Sequence, residues 1–213
     1  MVSYLIDTGF ADDSNIYLMT GTENILIDTG TGLTSSVLIS NIREIVGDAG
    51  IQKVILTHCH IDHIGGLPAI CREFHPECFA AMPDSDAIRN ADAAVTVAGM
   101  YGISLPPMEV SDTADGDIFD NGDHRLRVVS TPGHTKGSIC LFDENSRDLY
   151  SGDTVFLSGV GRMDLPSGSY DDMRSSLDRI SKLNIIGLFP GHGGTSREYG
   201  PDYVRRAARI VSI

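Results

Sequence analysis

Apolar and polar positions change period several times along this chain, and the changes mark its elements. Short apolar runs come first: VSYLI at 2–6, NIYLMT at 15–20 and NILIDTG at 24–30 read as strands, with Gly21, Thr22 and Glu23 turning the second into the third. Val37, Leu38, Ile42, Ile45 and Val46 then recur at helical spacing and predict a helix over Ser35–Val46. KVIL at 53–56 is a short, wholly apolar strand after Gly50. Leu67–Phe74 reads as a short helix stopped by Pro76, and FAAM at 79–82 as a strand. A helix is expected over 84–97 with Asp84 or Ser85 as its cap. Residues 100–117 look irregular. Strands return at 125–129 and at 138–142, the latter paired with 148–151. A helix over 169–183, a buried strand at 185–189 and a last helix holding Val204, Ala208 and Val211 complete the chain.

Strands precede helices in both halves, roughly 1–82 and 100–213, with no Pro-, Gly- or Ser-rich linker between them. The whole chain, 1–213, is therefore expected to form one α/β domain in which two sheets face each other with helices outside.

Composition narrows the function classes. With 29 acidic against 16 basic residues the formal net charge is −13, which opposes binding to a phosphate backbone. The one dense basic stretch, Arg205, Arg206 and Arg209, suits the solvated face of the last helix. No apolar run reaches the roughly 18 residues of a membrane span. The first ten residues show neither a basic n-region nor an apolar h-region, and the 4 cysteines sit without an export signal. A cytoplasmic location with free thiols is the expectation.

Candidate chemistry is concentrated in THCHIDHIGG, which follows the KVIL strand directly. Along extended chain His58 and His60 share a face and Cys59 takes the other. Asp62 and His63 approach after a turn, and Gly65-Gly66 permits close backbone packing. Imidazole and carboxylate at this density suit zinc, iron or manganese better than calcium or magnesium. Three later residues occupy the same kind of place, just after a short apolar strand and beside a glycine: His134 in TPGH, Asp153 in SGD and His192 in PGHGG.

HCHIDH, His134, Asp153 and His192 in this order, with Asp28 in LIDTG, resemble the metallo-β-lactamase superfamily across roughly residues 3–195. The resemblance implies a four-layer αβ/βα sandwich with two divalent metal ions at one edge, zinc first, with iron or manganese also compatible. By position, His58, His60 and His134 would hold one metal and Asp62, His63 and His192 the second. Asp153 would bridge them. Asp28 would support the ligand loop from outside the coordination sphere. A pair of metals about 3.5–4 Å apart activates a bridging water and polarises a carbonyl or phosphoryl oxygen, which makes Asp62 and Asp153 the catalytic candidates. No G-x-S-x-G nucleophile elbow, P-loop or G-x-G-x-x-G offers another chemistry.

SGDTVFLSGVGRMDLPSGS is similar to the segment of short relatives of glyoxalase II, whose association is with thioester hydrolysis. Arg162 would brace the active-site loop or meet a substrate carboxylate; an ion pair with Asp164 is an equal alternative. The resemblance implies a metal-dependent hydrolase acting on a thioester, in the manner of a hydroxyacylglutathione hydrolase, or on another small ester. The helical domain that gives glyoxalase II its glutathione contacts is not seen in this sequence, which weighs against glutathione as the carrier and against thioester specificity. A mononuclear iron persulfide dioxygenase is the second reading, and a non-catalytic metal-binding or regulatory module on the same scaffold the third. Phe156 stands where lactonases carry a tyrosine. The partner is a small-molecule substrate, with neither nucleic acid nor membrane; homo-oligomerisation stays open. Cys71, His75 and Cys78 are spaced C-x₃-H-x₂-C, but Pro76 interrupts them, and packing is preferred to a second zinc site. His124, after Asn121-Gly122-Asp123, is expected to be exposed in a hairpin.

Overall fold

The computed structural model describes residues 3–211. One sheet has six strands: β1 (Ser3–Ile6), β2 (Ile16–Met19), β3 (Ile25–Ile27), β4 (Lys53–Ile55), β5 (Glu77–Ala81) and β6 (Ser111–Thr113), paired in that order. The other has five: β7 (Ile118–Asp120), β8 (Arg125–Ser130), β9 (Ile139–Asp143), β10 (Asp148–Gly152) and β11 (Gly187–Pro190). Helices α1 (Ser35–Val46), α2 (Ile61–Ile64), α3 (Leu67–Phe74) and α4 (Asp84–Arg89) belong to the first half, and α5 (Tyr170–Ile180) and α6 (Gly200–Val211) to the second.

The period-2 alternation of the strands sorts their side chains into three apolar layers. Ile16, Leu18 and Leu26 pack outward with Leu38 and Ile42 of α1 and with Leu67 and Ile70 of α3. Their neighbours Tyr17, Met19, Ile25 and Ile27 turn inward to meet Leu126, Val128, Ile139, Leu141 and Tyr150 of the second sheet. Val129, Cys140, Phe142 and Leu149 face out again, onto Met173, Leu177 and Ile180 of α5 and Val204 and Ala207 of α6. Three core layers between four layers of elements make the αβ/βα sandwich, because each sheet is apolar on both faces and must be covered twice.

Strand direction then places the functional loops. β3 and β4 are parallel, so the chain leaves both at the same edge. β8 and β10 are each antiparallel to β9, and β10 is parallel to β11, so all three also end together. Asp28, the HCHIDH segment, His134, Asp153 and His192 follow these strand ends.

Several expectations need correcting. The helix over 84–97 stops at Arg89: Ala91 adopts a left-handed φ of 51°, and the Asp92 carboxylate accepts from the backbone N–H groups of Ala94 and Val95. An aspartate that satisfies local donors competes with helix continuation. The stretch read as irregular contains β6, and β7 follows it. These three-residue strands, Ser-Asp-Thr and Ile-Phe-Asp, lie at the sheet edges and are too short to display a hydrophobic period. His124 is buried, not exposed, and its Nδ1 lies 2.7 Å from Asp143 Oδ2. Of the first predicted strand, Val2 lies outside the described residues.

Candidate metal centre

KVIL ends at Leu56, and the chain enters the site as Thr57-His58-Cys59-His60 before the single turn of α2 brings Asp62 and His63 round. Cys59 points the other way, its Sγ toward the Val95 carbonyl. The turn can be this tight because of the two glycines. A Cβ on Gly65 would collide with the carbonyls of Thr31 and Ile61, and one on Gly66 with the carbonyl of Thr29. The approach is locked from the other side by the Thr29 N–H and hydroxyl, which both donate to the His63 carbonyl, at 2.7 and 2.9 Å.

The tertiary fold gathers all seven predicted side chains. His58, His60 and His134 offer ligand atoms mutually within 4.8 Å, as do Asp62, His63 and His192. Nδ1 of His60 stands 2.8 Å from Nε2 of His134, and the Nε2 atoms of His63 and His192 are 3.2 Å apart. Asp153 lies between the sets, its carboxylate 3.3 Å from His63, 3.5 Å from His134 and 3.8 Å from His192. Cys71 and Cys78 meet at 3.5 Å, but His75 closes the end of α3 in a left-handed conformation, and none of the three belongs to a ligand cluster among the described residues.

The outward ring nitrogens have partners of their own. His63 Nδ1 donates to Asp28 at 2.8 Å, and His134 Nδ1 donates to the Arg162 carbonyl at 2.7 Å. Each bond leaves Nε2 as the lone-pair nitrogen, aimed at the cluster. Asp28, buried and itself at a left-handed φ of 61°, also accepts from the Thr57 N–H and hydroxyl, so it grips both ends of the loop. Asp13, which sequence reading passed over, joins the flanking segments: it accepts from Thr8, from the N–H and hydroxyl of Thr31, and from Thr34. An isolated aspartate in a polar loop has no sequence signal for such a role. Arg162 takes part through its backbone, while its guanidinium pairs with Asp164 in the open, at 58% and 69% side-chain exposure.

Electrostatics fit a cation-binding cluster. Burial, reinforced by the neighbouring imidazoles, pushes His58 well below the usual histidine range, and burial with His134 takes His60 down to about 3. Both imidazoles are neutral at ordinary pH. Burial opposes the charged form of His63, but Asp153 and Asp28 overcome it and raise that group, so a metal ion would displace the proton from Nε2 while Nδ1 keeps its bond to Asp28. Burial likewise opposes ionisation of Asp62 and Asp153, and here too the histidines win and hold both carboxyls low. His58 Nε2, His60 Nε2 and Asp153 Oδ1 are buried without a hydrogen-bond partner in the structure. Unsatisfied buried nitrogens and a carboxylate oxygen, in a set of imidazoles and carboxylates, are what zinc, iron or manganese coordinates.

The cluster floors a cavity of about 310 Å³ whose walls are mostly apolar, Val97, Met100, Tyr101, Phe156, Val160 and Leu165, with Gly161 and Arg162 also lining it. Val97 holds a left-handed φ of 51°, a strained state for a β-branched residue. A larger groove of about 880 Å³ runs beside β5, lined by residues such as Phe79, Arg89 and Met108, but it contains no ligand cluster. The candidate ligand cluster lies at the smaller cavity.

Comparison with known proteins agrees with this geometry. The family model of the metallo-beta-lactamase superfamily matches residues 4–192. A Methanocaldococcus jannaschii protein named as a probable metallo-hydrolase is 38% identical, over 87% of this chain and 90% of its own. The human acyl-coenzyme A thioesterase MBLAC2 is 31% identical, over 85% of this chain and 74% of its own. The crystal structure of TTHA1623 in a di-iron-bound form superposes with a TM-score of 0.78 at 25% identity, covering 99% of this chain and all of that one.

Proposed function

This chain belongs to the metallo-beta-lactamase superfamily, and from the geometry of its site we propose that it is a binuclear metal-dependent hydrolase of small thioesters with an apolar acyl group. The observation that carries the reading is the juxtaposition of two ligand triplets, spanned by Asp153, at the floor of an apolar-walled cavity. His58, His60 and His134 would hold one ion, Asp62, His63 and His192 the other, and Asp153 would bridge. When bound, two such ions would supply an activated water and polarise the carbonyl oxygen.

The protein's own contribution follows from its residues. Val97, Met100, Tyr101, Phe156, Val160 and Leu165 take the acyl group out of water and present its carbonyl to the floor. Asp62, ionised and 3.1 Å from His192 Nε2, is placed to accept a proton at its carboxylate oxygens and return it to the leaving sulfur. Asp28 and the Arg162 carbonyl keep His63 and His134 in the tautomer and orientation that ligation needs. The thioesterase activity of MBLAC2 supports the choice of thioester. The second triplet favours a binuclear hydrolase over a mononuclear iron dioxygenase.

The test is metal analysis of the protein purified without added metal or chelator, followed by thiol release from a panel of thioesters of increasing acyl length. About two equivalents of zinc, iron or manganese and turnover of short apolar acyl thioesters are expected. A single equivalent of iron with oxygen consumption would replace this reading with the dioxygenase. Metal without turnover would leave a binding module. Asp153→Ala is expected to remain folded, lose metal and lose turnover; full activity in that variant would sink the binuclear assignment.

A further inference from the structure

Asp84 is the first residue of α4, one past the cap position at Pro83, where an acidic side chain ordinarily serves the N-terminus of its own helix. Its hydrogen bonds go elsewhere. Its side chain, 1% exposed, instead reaches two loops from different sheets. Oδ2 accepts from the Cys59 N–H at 2.9 Å and from the Thr135 hydroxyl at 2.6 Å, and Oδ1 accepts from the Gly137 N–H at 2.7 Å. Cys59 sits between His58 and His60, and Thr135 directly follows His134. One carboxylate therefore holds the two segments that supply the first triplet.

The contact is packed without slack. A Cβ on Gly137 would stand 2.5 Å from Oδ1 and 2.6 Å from the Asp84 Cβ, so only glycine admits the carboxylate at this distance. Thr135 is oriented for it by Ser138, whose Oγ lies 2.7 Å from the Thr135 hydroxyl and accepts the Thr135 N–H. The bonds are directional: one donor is the backbone N–H between His58 and His60, the second the hydroxyl of the residue after His134, and the third the Gly137 N–H three residues past it, so a change at Asp84 acts on the backbone that carries the ligands.

We infer that Asp84 is a positioning residue for the metal centre, setting the separation of the His58–His60 pair from His134. The inference rests on the ligand sets proposed above. Asp84 touches neither metal ligand side chains nor the cavity, and Asp28 has no part in this contact: Asp28 holds Thr57 and His63. Asp84 thus acts on the segments of the first triplet, whereas Asp28 reaches His63 of the second and also Thr57, which adjoins His58 of the first.

Asp84→Asn is the informative variant. Whichever way the amide is turned, its nitrogen meets an N–H donor, Gly137 on one side or Cys59 on the other. The probe is Co(II) titrated into the metal-stripped full chain, followed by its d–d absorption and by competition with a chromophoric chelator. The wild type is expected to bind two equivalents tightly. In the folded variant one equivalent stays at wild-type affinity, and the other weakens by about 10- to 100-fold with an altered spectrum. Asp143→Asn, a buried carboxylate remote from the ligands, is the control for general destabilisation and should leave both equivalents tight. Two tight equivalents with an unchanged spectrum in Asp84→Asn overturn the inference, as does equal loosening of both. Should Asp84→Asn not fold, Thr135→Val removes only the hydroxyl bond; several-fold loosening of one equivalent supports the role, and wild-type binding overturns it. A wild type that fails to take up two equivalents overturns the ligand sets and, with them, this role.

Discussion

Asp28 accepts three bonds from a buried loop, and removing it leaves the Thr57 N–H and the His63 Nδ1–H without an acceptor. Asp28→Ala should cost about 1–3 kcal/mol in a denaturant titration and loosen one metal equivalent by roughly 10- to 100-fold. Arg162→Ala should behave oppositely. Its exposed pair with Asp164 stabilises little, and the contact to His134 comes from the backbone, so metal content should match the wild type and stability should change by less than about 0.5 kcal/mol. A change in KM or kcat at constant metal content would give the guanidinium a role toward substrate. At this scale the histidines and Asp153 were legible because their spacing serves no cap or turn. Asp13 and Asp84 were not, because a lone carboxylate becomes a brace only when distant donors are folded onto it.

At the scale of elements, β8 and β9 are joined by a buried polar contact within an otherwise apolar sheet. Burial alone would raise the Asp143 carboxyl, but the His124 bond, the backbone N–H groups of Arg125 and Asn145 and the charge of His124 together bring it below the usual range. A lowered folded-state pKa means that this stabilisation is complete above the unfolded carboxylate value near 4 and disappears as pH falls through the folded one. The stability gap between wild type and Asp143→Asn, read from urea midpoints, should therefore close steadily as pH falls below about 4. A gap that widens below that pH would contradict the direction of the shift. The same contact explains why a hairpin signal at Asn121-Gly122 misled: the turn is there, but the residue after it is drawn inward by an aspartate 19 positions away. Elements of strong period were readable, whereas β6, β7 and the single turn of α2 are too short to display one.

At the scale of the molecule, the ligand loops arise from both sheets, so metal binding ties the two halves of the sandwich together. A ligand that binds only the folded state at 100 times its dissociation constant adds about 2.7 kcal/mol, which in a protein of this size raises the melting temperature by on the order of 5–10 °C. Chelation should lower the midpoint by that order and readdition of metal should restore it, by calorimetry; an unchanged midpoint would argue against tight binding across the sheets. No helix among the described residues is long and apolar enough to cross a membrane. From sequence alone came the two-sheet sandwich, through short apolar strands that precede helices in each half, and the identity and expected grouping of the ligand candidates, through clustered chemistry and the family resemblance it carries. Tertiary structure alone decided the distances between those side chains, which cavity they floor, and that Asp84 and Asp13 brace the loops. The physical reason is range. Periodicity and turn chemistry are properties of neighbours along the chain, while coordination distance and hydrogen-bond closure depend on strand ends brought together by the packing of two sheets.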